Sequence, residues 1–403
     1  MRITSRRAIV PLLMVGGLLA AACGSSSSSS TTTTAASGGS SGGATVSVST
    51  FTKDFTTMAD LKSVTAAGKG KVAVILPDTV SSARYTEFDA PYLTKAFAAA
   101  GLSTSDTIIQ NAQGSDSTQL TDAQSDITSG ATVLVVDPLD AGVGNSIESY
   151  AKSHGVPVID YDRLVLGGSR KYYVSFDNVK VGTLIGKGMV ACVAAWKVPS
   201  PKLAVMVGSP TDNNATLFAQ GYNAVLNPLI AAGTYKVLAR PAGTWDPPTA
   251  LTEFQQAYTA NPTMNGVLVP NDENAAPIIS YLKTLNIPAK KFPVTGQDAT
   301  LIGIQNIISG YQCGTAYKPI YLEAQAAAAL ALYLRAGKTP PAGLVNGTVK
   351  DTTANVNVPS SLLIPEWVTP ATVESTVVAD GFVPASQICT GAYAADCTTY
   401  GIH

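Results

Sequence analysis

The amino-acid sequence predicts an α/β protein of two lobes, each a parallel sheet flanked by helices, and three observations carry that expectation. From Val72 onward, short runs of Val, Ile and Leu alternate with longer amphipathic segments, the rhythm of strand–helix–strand units. Most of these runs are nearly continuous in apolar residues, as strands covered by helices on both faces must be. The connections between them, about 15 to 25 residues each, fit right-handed crossovers.

The chain opens on an element outside that fold. Arg2, Arg6 and Arg7 precede an apolar stretch from Ala8 to Ala22, and a Ser/Gly/Thr tract follows at once. The stretch is shorter than the ~20 residues that span a bilayer, so residues 1–22 read as a signal peptide. The run Leu18-Leu19-Ala20-Ala21-Ala22-Cys23 resembles the bacterial lipobox, with Ala20 where the pattern has a larger aliphatic residue. That resemblance implies a diacylglycerol on Cys23, whose two acyl chains suffice for stable anchoring to the outer face of the cell membrane. From Gly24 to Ala44 the composition is too poor in apolar residues to offset the entropy of ordering, and it reads as a tether. Residues 23–68 thus form the anchor, the tether and a short arm with a helix near Met58 to Ala67.

The roughly 340 residues beyond the tether suit two domains. The strands expected in order are Val72–Leu76, Thr107–Ile109, Thr132–Val136, Pro157–Ile159, Tyr172–Phe176, Leu203–Val207, Lys236–Leu238, Gly266–Val269, Pro293–Thr295 and Thr315–Tyr317. Helices are expected at Glu87–Ala100 and Ile147–His154, ended by Gly101 and Gly155 in the left-handed C-cap conformation.

Composition narrows the partners. Lys plus Arg number 26 against 27 Asp plus Glu, so no basic excess points to nucleic acid and the ligand need not be charged. Four cysteines besides Cys23, in an oxidising compartment, allow three connectivities. Sequence proximity and elimination favour Cys389 with Cys397 and Cys192 with Cys313. No Cys/His cluster suggests a metal or cofactor.

In parallel sheets ligands lie beyond the carboxyl ends of the strands, so the polar residues there are the candidate site. They are Asp78, Asp137, Asp160, Asp162 and Arg163, Asp177-Asn178, the run Ser209 to Asn214, Trp245-Asp246, Asn271-Asp272, Gln297-Asp298 and Lys318. Carboxylates accept protons from hydroxyls, Arg and Lys donate, and Asn does both, which suits the hydroxyl ring of a neutral sugar. Each Asp or Asn has a plainer use as a helix cap or turn former. Trp245 either covers a hydrophobic edge or stacks on a sugar's C–H face.

The segments Tyr161-Asp162-Arg163, Ser175-Phe176-Asp177-Asn178, Gly208 to Ala215, Gly296-Gln297-Asp298-Ala299 and Tyr317-Lys318-Pro319 occur in this order. Together they resemble the xylose-binding branch of the periplasmic sugar-binding proteins, over about Val72 to Leu332. The resemblance implies a type I binding-protein fold, two Rossmann-like lobes joined by three crossing strands, with one monosaccharide in the cleft. It divides the chain into a first lobe at 69–177, a second at 178–316, a return to the first at 317–345 and a second-lobe tail at 346–403. It implies ligand contacts from Arg84, Asp162 and Arg163 on one side. Asn213 or Asn214, Trp245, Asn271, Asp298 and Lys318 would supply the other. Ser81 stands where the branch carries a second Arg, which leaves the sugar open. The implied partners are the membrane subunits of an ABC importer, with the binding protein a monomer and no enzyme. A receptor feeding a sensory system keeps the same fold in another role. A secreted glycosidase needs a catalytic carboxylate pair that nothing in the sequence marks.

Overall fold

The computed structural model describes residues 46–403, so the signal peptide, Cys23 and the tether from Gly24 to Ala44 lie outside the described residues. Among the described residues, thirteen strands fall into one seven-stranded and two three-stranded sheets. They are β1 (Lys71–Leu76), β2 (Thr107–Asn111), β3 (Ala131–Val136), β4 (Val158–Tyr161), β5 (Tyr172–Phe176), β6 (Lys202–Val205) and β7 (Lys236–Ala239). The rest are β8 (Gly266–Leu268), β9 (Gly296–Gln297), β10 (Thr315–Tyr317), β11 (Gly347–Asp351), β12 (Val356–Leu363) and β13 (Glu366–Val368).

The first lobe is built on the sheet ordered β11-β12-β5-β4-β3-β1-β2. Between β3 and β2 lies the apolar run of β1, whose Val72 to Leu76 are buried because helices cover both faces. The second lobe carries the sheets β7-β6-β8 and β13-β10-β9, tied by a single parallel bridge between Val267 and Val294. The chain passes between the lobes after β5, after β10 and between β12 and β13.

Two expectations need correction. The segment from residue 346 is not wholly a second-lobe tail, because β12 pairs parallel with β5 from Ser360–Tyr173 to Leu363–Phe176 and so completes the first sheet. The sheets are parallel except at one edge of two of them, where β11 pairs antiparallel with β12 and β13 antiparallel with β10. In the run Pro293–Thr295 only Val294 makes a bridge, and the strand proper begins at Gly296.

The helical boundaries follow local chemistry. The first helix after β1 opens as a wide π-turn at Tyr85–Asp89 before the regular helix Ala90–Ala99. Gly101 and Gly155 take φ of +80° and +71°, the left-handed region that terminates a helix at little cost for glycine. In the second lobe the helices Asn178–Ala195 and Asn213–Ala231 cross with almost no side chain between them. A Cβ on Gly182 would lie 2.0 Å from the Phe218 carbonyl oxygen, and one on Gly221 would lie 2.2 Å from that of Val179. Cys192 pairs with Cys313 and Cys389 with Cys397, at Cα separations of 5.6 and 5.7 Å. The first pair ties the helix Asn178–Ala195 to the turn before β10, and the second closes the C-terminal turn packed against the helix Leu301–Ile308.

Candidate functional site

A narrow cavity of about 30 Å³ lies between the lobes at the carboxyl ends of the strands, where parallel sheets place ligands. Ser81, Ser82, Arg84, Tyr85, Asp162 and Arg163 line it from the first lobe. Asp212, Asn214, Phe218, Trp245, Asn271, Gln297 and Asp298 line it from the second, with Lys318 at a crossing.

Asp162 follows β4 and Asp298 follows β9, and both hold positive φ, 56° and 89°. Backbone held there in a non-glycine residue costs on the order of 1–3 kcal/mol, tolerated where the surroundings fix it. Here the surroundings are charges. The Arg84 guanidinium donates to Asp162 at 2.9 Å, to both oxygens of Asp89 at 2.8 Å and to Glu323 at 2.6 Å. Four of its five N–H groups are thereby engaged, so Arg84 holds Asp162 in place and has one N–H left for the cavity. Lys318 Nζ lies 3.0 Å from Asp298 and 3.9 Å from Asp162, bridging the two bent segments.

Electrostatics follows from this crowding. Burial pushes the Asp162 carboxyl up, but Arg84, Lys318 and Arg163 outweigh it and hold the group below the usual carboxylate range. Burial pushes Glu323 up to about 8 despite Arg84, because Asp162 and Asp89 crowd it. Burial lowers the Lys318 ammonium, yet Asp298 and Asp162 more than compensate and keep it charged. The cavity therefore presents an anionic carboxylate and a cation side by side, the donors and acceptors that a hydroxylated ring can pair.

Arg163 reaches Tyr85 Oη at 3.0 Å and Ser81 Oγ at 3.4 Å, and Asp137 and Asp212 flank its Nε at 3.7 and 3.6 Å. Trp245 is fixed on two sides. Its indole N–H donates to Asp212 at 2.9 Å, and a Cβ on Gly208 would lie 2.1 Å from its ring, so only glycine lets the ring lie against that backbone. Phe218 meets it edge-on at 6.4 Å.

The open choice between two asparagines has a geometric answer. Asn214 lines the cavity and donates to the Asp162 carbonyl at 2.9 Å, while its own oxygen accepts from Asn178 at 2.8 Å and Tyr173 Oη at 3.1 Å. Asn213 does not line the cavity, and that expectation is corrected. Asp212 is the N-cap, so the two asparagines start the helix one residue apart and point about 100° from each other.

Several strand-end residues serve the scaffold instead. Asp177 and Asp246 cap the helices that follow them. Asp78 accepts from the backbone of Val80 and Ser81, and Asp160 from that of Val165. Asp272 gathers Thr300, Gln312 and Thr315.

Sequence reasoning missed Glu273. Its carboxylate accepts from the Ala83 backbone N–H at 3.0 Å, from Ser82 Oγ at 3.3 Å and from Asn271 at 3.1 Å, which latches the loop after β1 to the second lobe. Asn271 adds a bond to the Ser81 carbonyl at 3.2 Å. Burial, and then Asp298 and Asp272, raise the Glu273 carboxyl well above its usual range.

Residues 72–339 match the model of the periplasmic binding protein domain. The chain belongs to the periplasmic binding protein family. This family binds solutes and does not catalyse reactions on them. The binding protein is 37% identical over 283 residues to the D-xylose-binding periplasmic protein of Escherichia coli strain K12, covering 70% of this chain and 82% of that one. It is 32% identical over 342 residues to a multiple sugar-binding periplasmic receptor of Rhizobium radiobacter, covering 80% and 93%. Among solved structures, a solute-binding protein of Chloroflexus aurantiacus in complex with D-glucose superposes at a TM-score of 0.69 with 26% identity, covering 78% of this chain and 97% of that one. One from Clostridium phytofermentans with bound β-D-glucose gives 0.70 at 25% identity, covering 79% and 99%. Both carry the type I fold of two α/β lobes seen in this binding protein.

Proposed function

We propose that this binding protein captures one aldose, xylose or a close relative, between its lobes and hands it to an ABC importer, while a lipid on Cys23 holds it to the outer face of the membrane. The observation that carries the reading is the pairing of Asp162, Lys318 and Asp298 around one buried cavity walled by both lobes. Asp162, Asp298 and the Asn271 oxygen would accept from sugar hydroxyls, Lys318, Arg163, the second amide hydrogen of Asn214 and the free N–H of Arg84 would donate, and the Trp245 ring would cover a C–H face. The kinship to a D-xylose-binding protein favours a pentose. A sugar touching both lobes stabilises the closed arrangement by its differential contacts, and the importer would read that arrangement. The two cystine pairs would form on export and stiffen the second lobe.

Calorimetric titration of the chain from Gly24 onward with xylose, ribose, arabinose, glucose, galactose, fructose and allose tests this. One-to-one binding of a pentose supports it. A protein shown free of carried-over sugar that ignores the whole panel contradicts it. Mass spectrometry of the membrane-extracted protein tests the anchor by the diacylglycerol mass on Cys23.

A further inference from the structure

A second cavity, larger than the first, adjoins the sugar site. It has a volume of about 340 Å³ and is lined by Asp78, Val80, Gln113, Gly114 and Leu139 of the first lobe and Ser209 and Asp246 of the second. Three residues, Ser81, Arg163 and Trp245, line both cavities. The partition between them is therefore one short hydroxyl side chain, one guanidinium and the edge of an indole.

We propose that the outer cavity is a second sugar subsite, so that the ligands include disaccharides and glycosides whose second ring or aglycone sits outside the inner aldose. The inference rests on the proposed function, since it extends the same site. The indole carries the argument. Asp212 and Gly208 immobilise it on two sides, and it is half-buried, so it offers one fixed apolar surface to both cavities. Rigid aromatic surfaces stack on sugar rings without loss of side-chain entropy. Arg163 Nη2 makes one long bond of 3.4 Å to Ser81, a contact that an intervening hydroxyl or glycosidic oxygen replaces at little cost. Around it the wall alternates apolar Val80 and Leu139 with polar Gln113, Ser209 and Asp246, the mixture that a sugar's two kinds of face require. Both lobes contribute to this wall in the closed arrangement, so a substituent there adds contacts to closure instead of propping the lobes apart.

The test compares xylose, xylobiose and both anomers of methyl and p-nitrophenyl xyloside, by calorimetry on the wild type and on Val80→Trp and Gln113→Trp. Neither substituted residue lines the inner cavity, and Val80 is 60% exposed, so an added indole fills outer space without disturbing the core. The proposal expects at least one extended ligand to bind within about tenfold of xylose, and expects either Trp variant to weaken that ligand by about tenfold or more with xylose unchanged. Xylose binding with every extended ligand rejected overturns the subsite and leaves the proposed function standing. Extended ligands that ignore both Trp substitutions overturn it too, since they would then lie elsewhere. No binding of any free sugar overturns the proposed function itself.

Discussion

At the scale of single residues, Glu273 joins the loop after β1 to the second lobe and so ties the two lobes in a closed arrangement. Its carboxyl is raised in the closed form by burial and by Asp298 and Asp272, and opening would return it to water and an ordinary value. A raised acid means that closure takes up a proton. The latch is thus complete below the ordinary carboxyl range and is progressively lost as pH climbs through the raised value. Sugar affinity is expected to fall as pH rises from the ordinary carboxyl range toward the raised value, by up to about tenfold per unit where this group dominates. Glu273→Gln keeps an acceptor for the Ala83 N–H and cannot ionise, so calorimetry across that range should show a flatter profile. An unchanged slope in the variant contradicts the latch.

The residue scale also shows what the sequence disclosed. Asp162, Arg163, Trp245, Asn271, Asp298 and Lys318 were findable because each follows a strand, where the topology of parallel sheets places ligands. Glu273 was not, because a Glu in the first turn of a helix reads as an ordinary partner of the helix dipole, and its use comes from a loop about 190 residues away. Glu323 was hidden likewise, since a buried carboxylate on an Ala-rich helix has meaning only through Arg84. Arg84 itself looked like a ligand contact, and its commitment to three carboxylates became visible only in three dimensions.

At the scale of elements, the site is held by the crossing of Asn178–Ala195 and Asn213–Ala231. The first residue of one helix, Asn178, bonds the second residue of the other, Asn214, which fixes the carbonyl of Asp162. The crossing relies on glycine at 182 and 221, where any Cβ would enter the opposing backbone. Gly182→Val should force the helices apart, costing about 1–3 kcal/mol of stability. Because the displaced helix carries Asn214, sugar affinity should fall with the melting temperature. Loss of stability at full affinity would show that the crossing does not position the site. Strands β11 and β12 escaped the sequence reading for an element-scale reason. Polar residues and a proline interrupt them, Lys350 and Asp351 in β11 and Asn357, Pro359, Ser360 and Ser361 in β12, so neither has the continuous apolar run of a doubly covered strand.

At the scale of the whole molecule, two lobes with separate cores are joined by three crossings, the geometry that hinge closure around a ligand requires. The rhythm of apolar runs announced this architecture from β1 to β10. The return of the chain through β12 to the first sheet and through β13 to the second was not announced, because the third crossing is only two residues long. The disulfide between Cys192 and Cys313 lies within the second lobe and spans 121 residues of sequence, so it restrains that lobe without bridging the moving halves. The measurement that tests the account most directly is a crystal structure of the protein with the tightest-binding aldose. The account predicts one sugar ring in the inner cavity, bonded to Asp162, Asn214, Asp298 and Lys318, with the Trp245 ring against its C–H face. A sugar found outside that cavity, or one held by a single lobe, would contradict it.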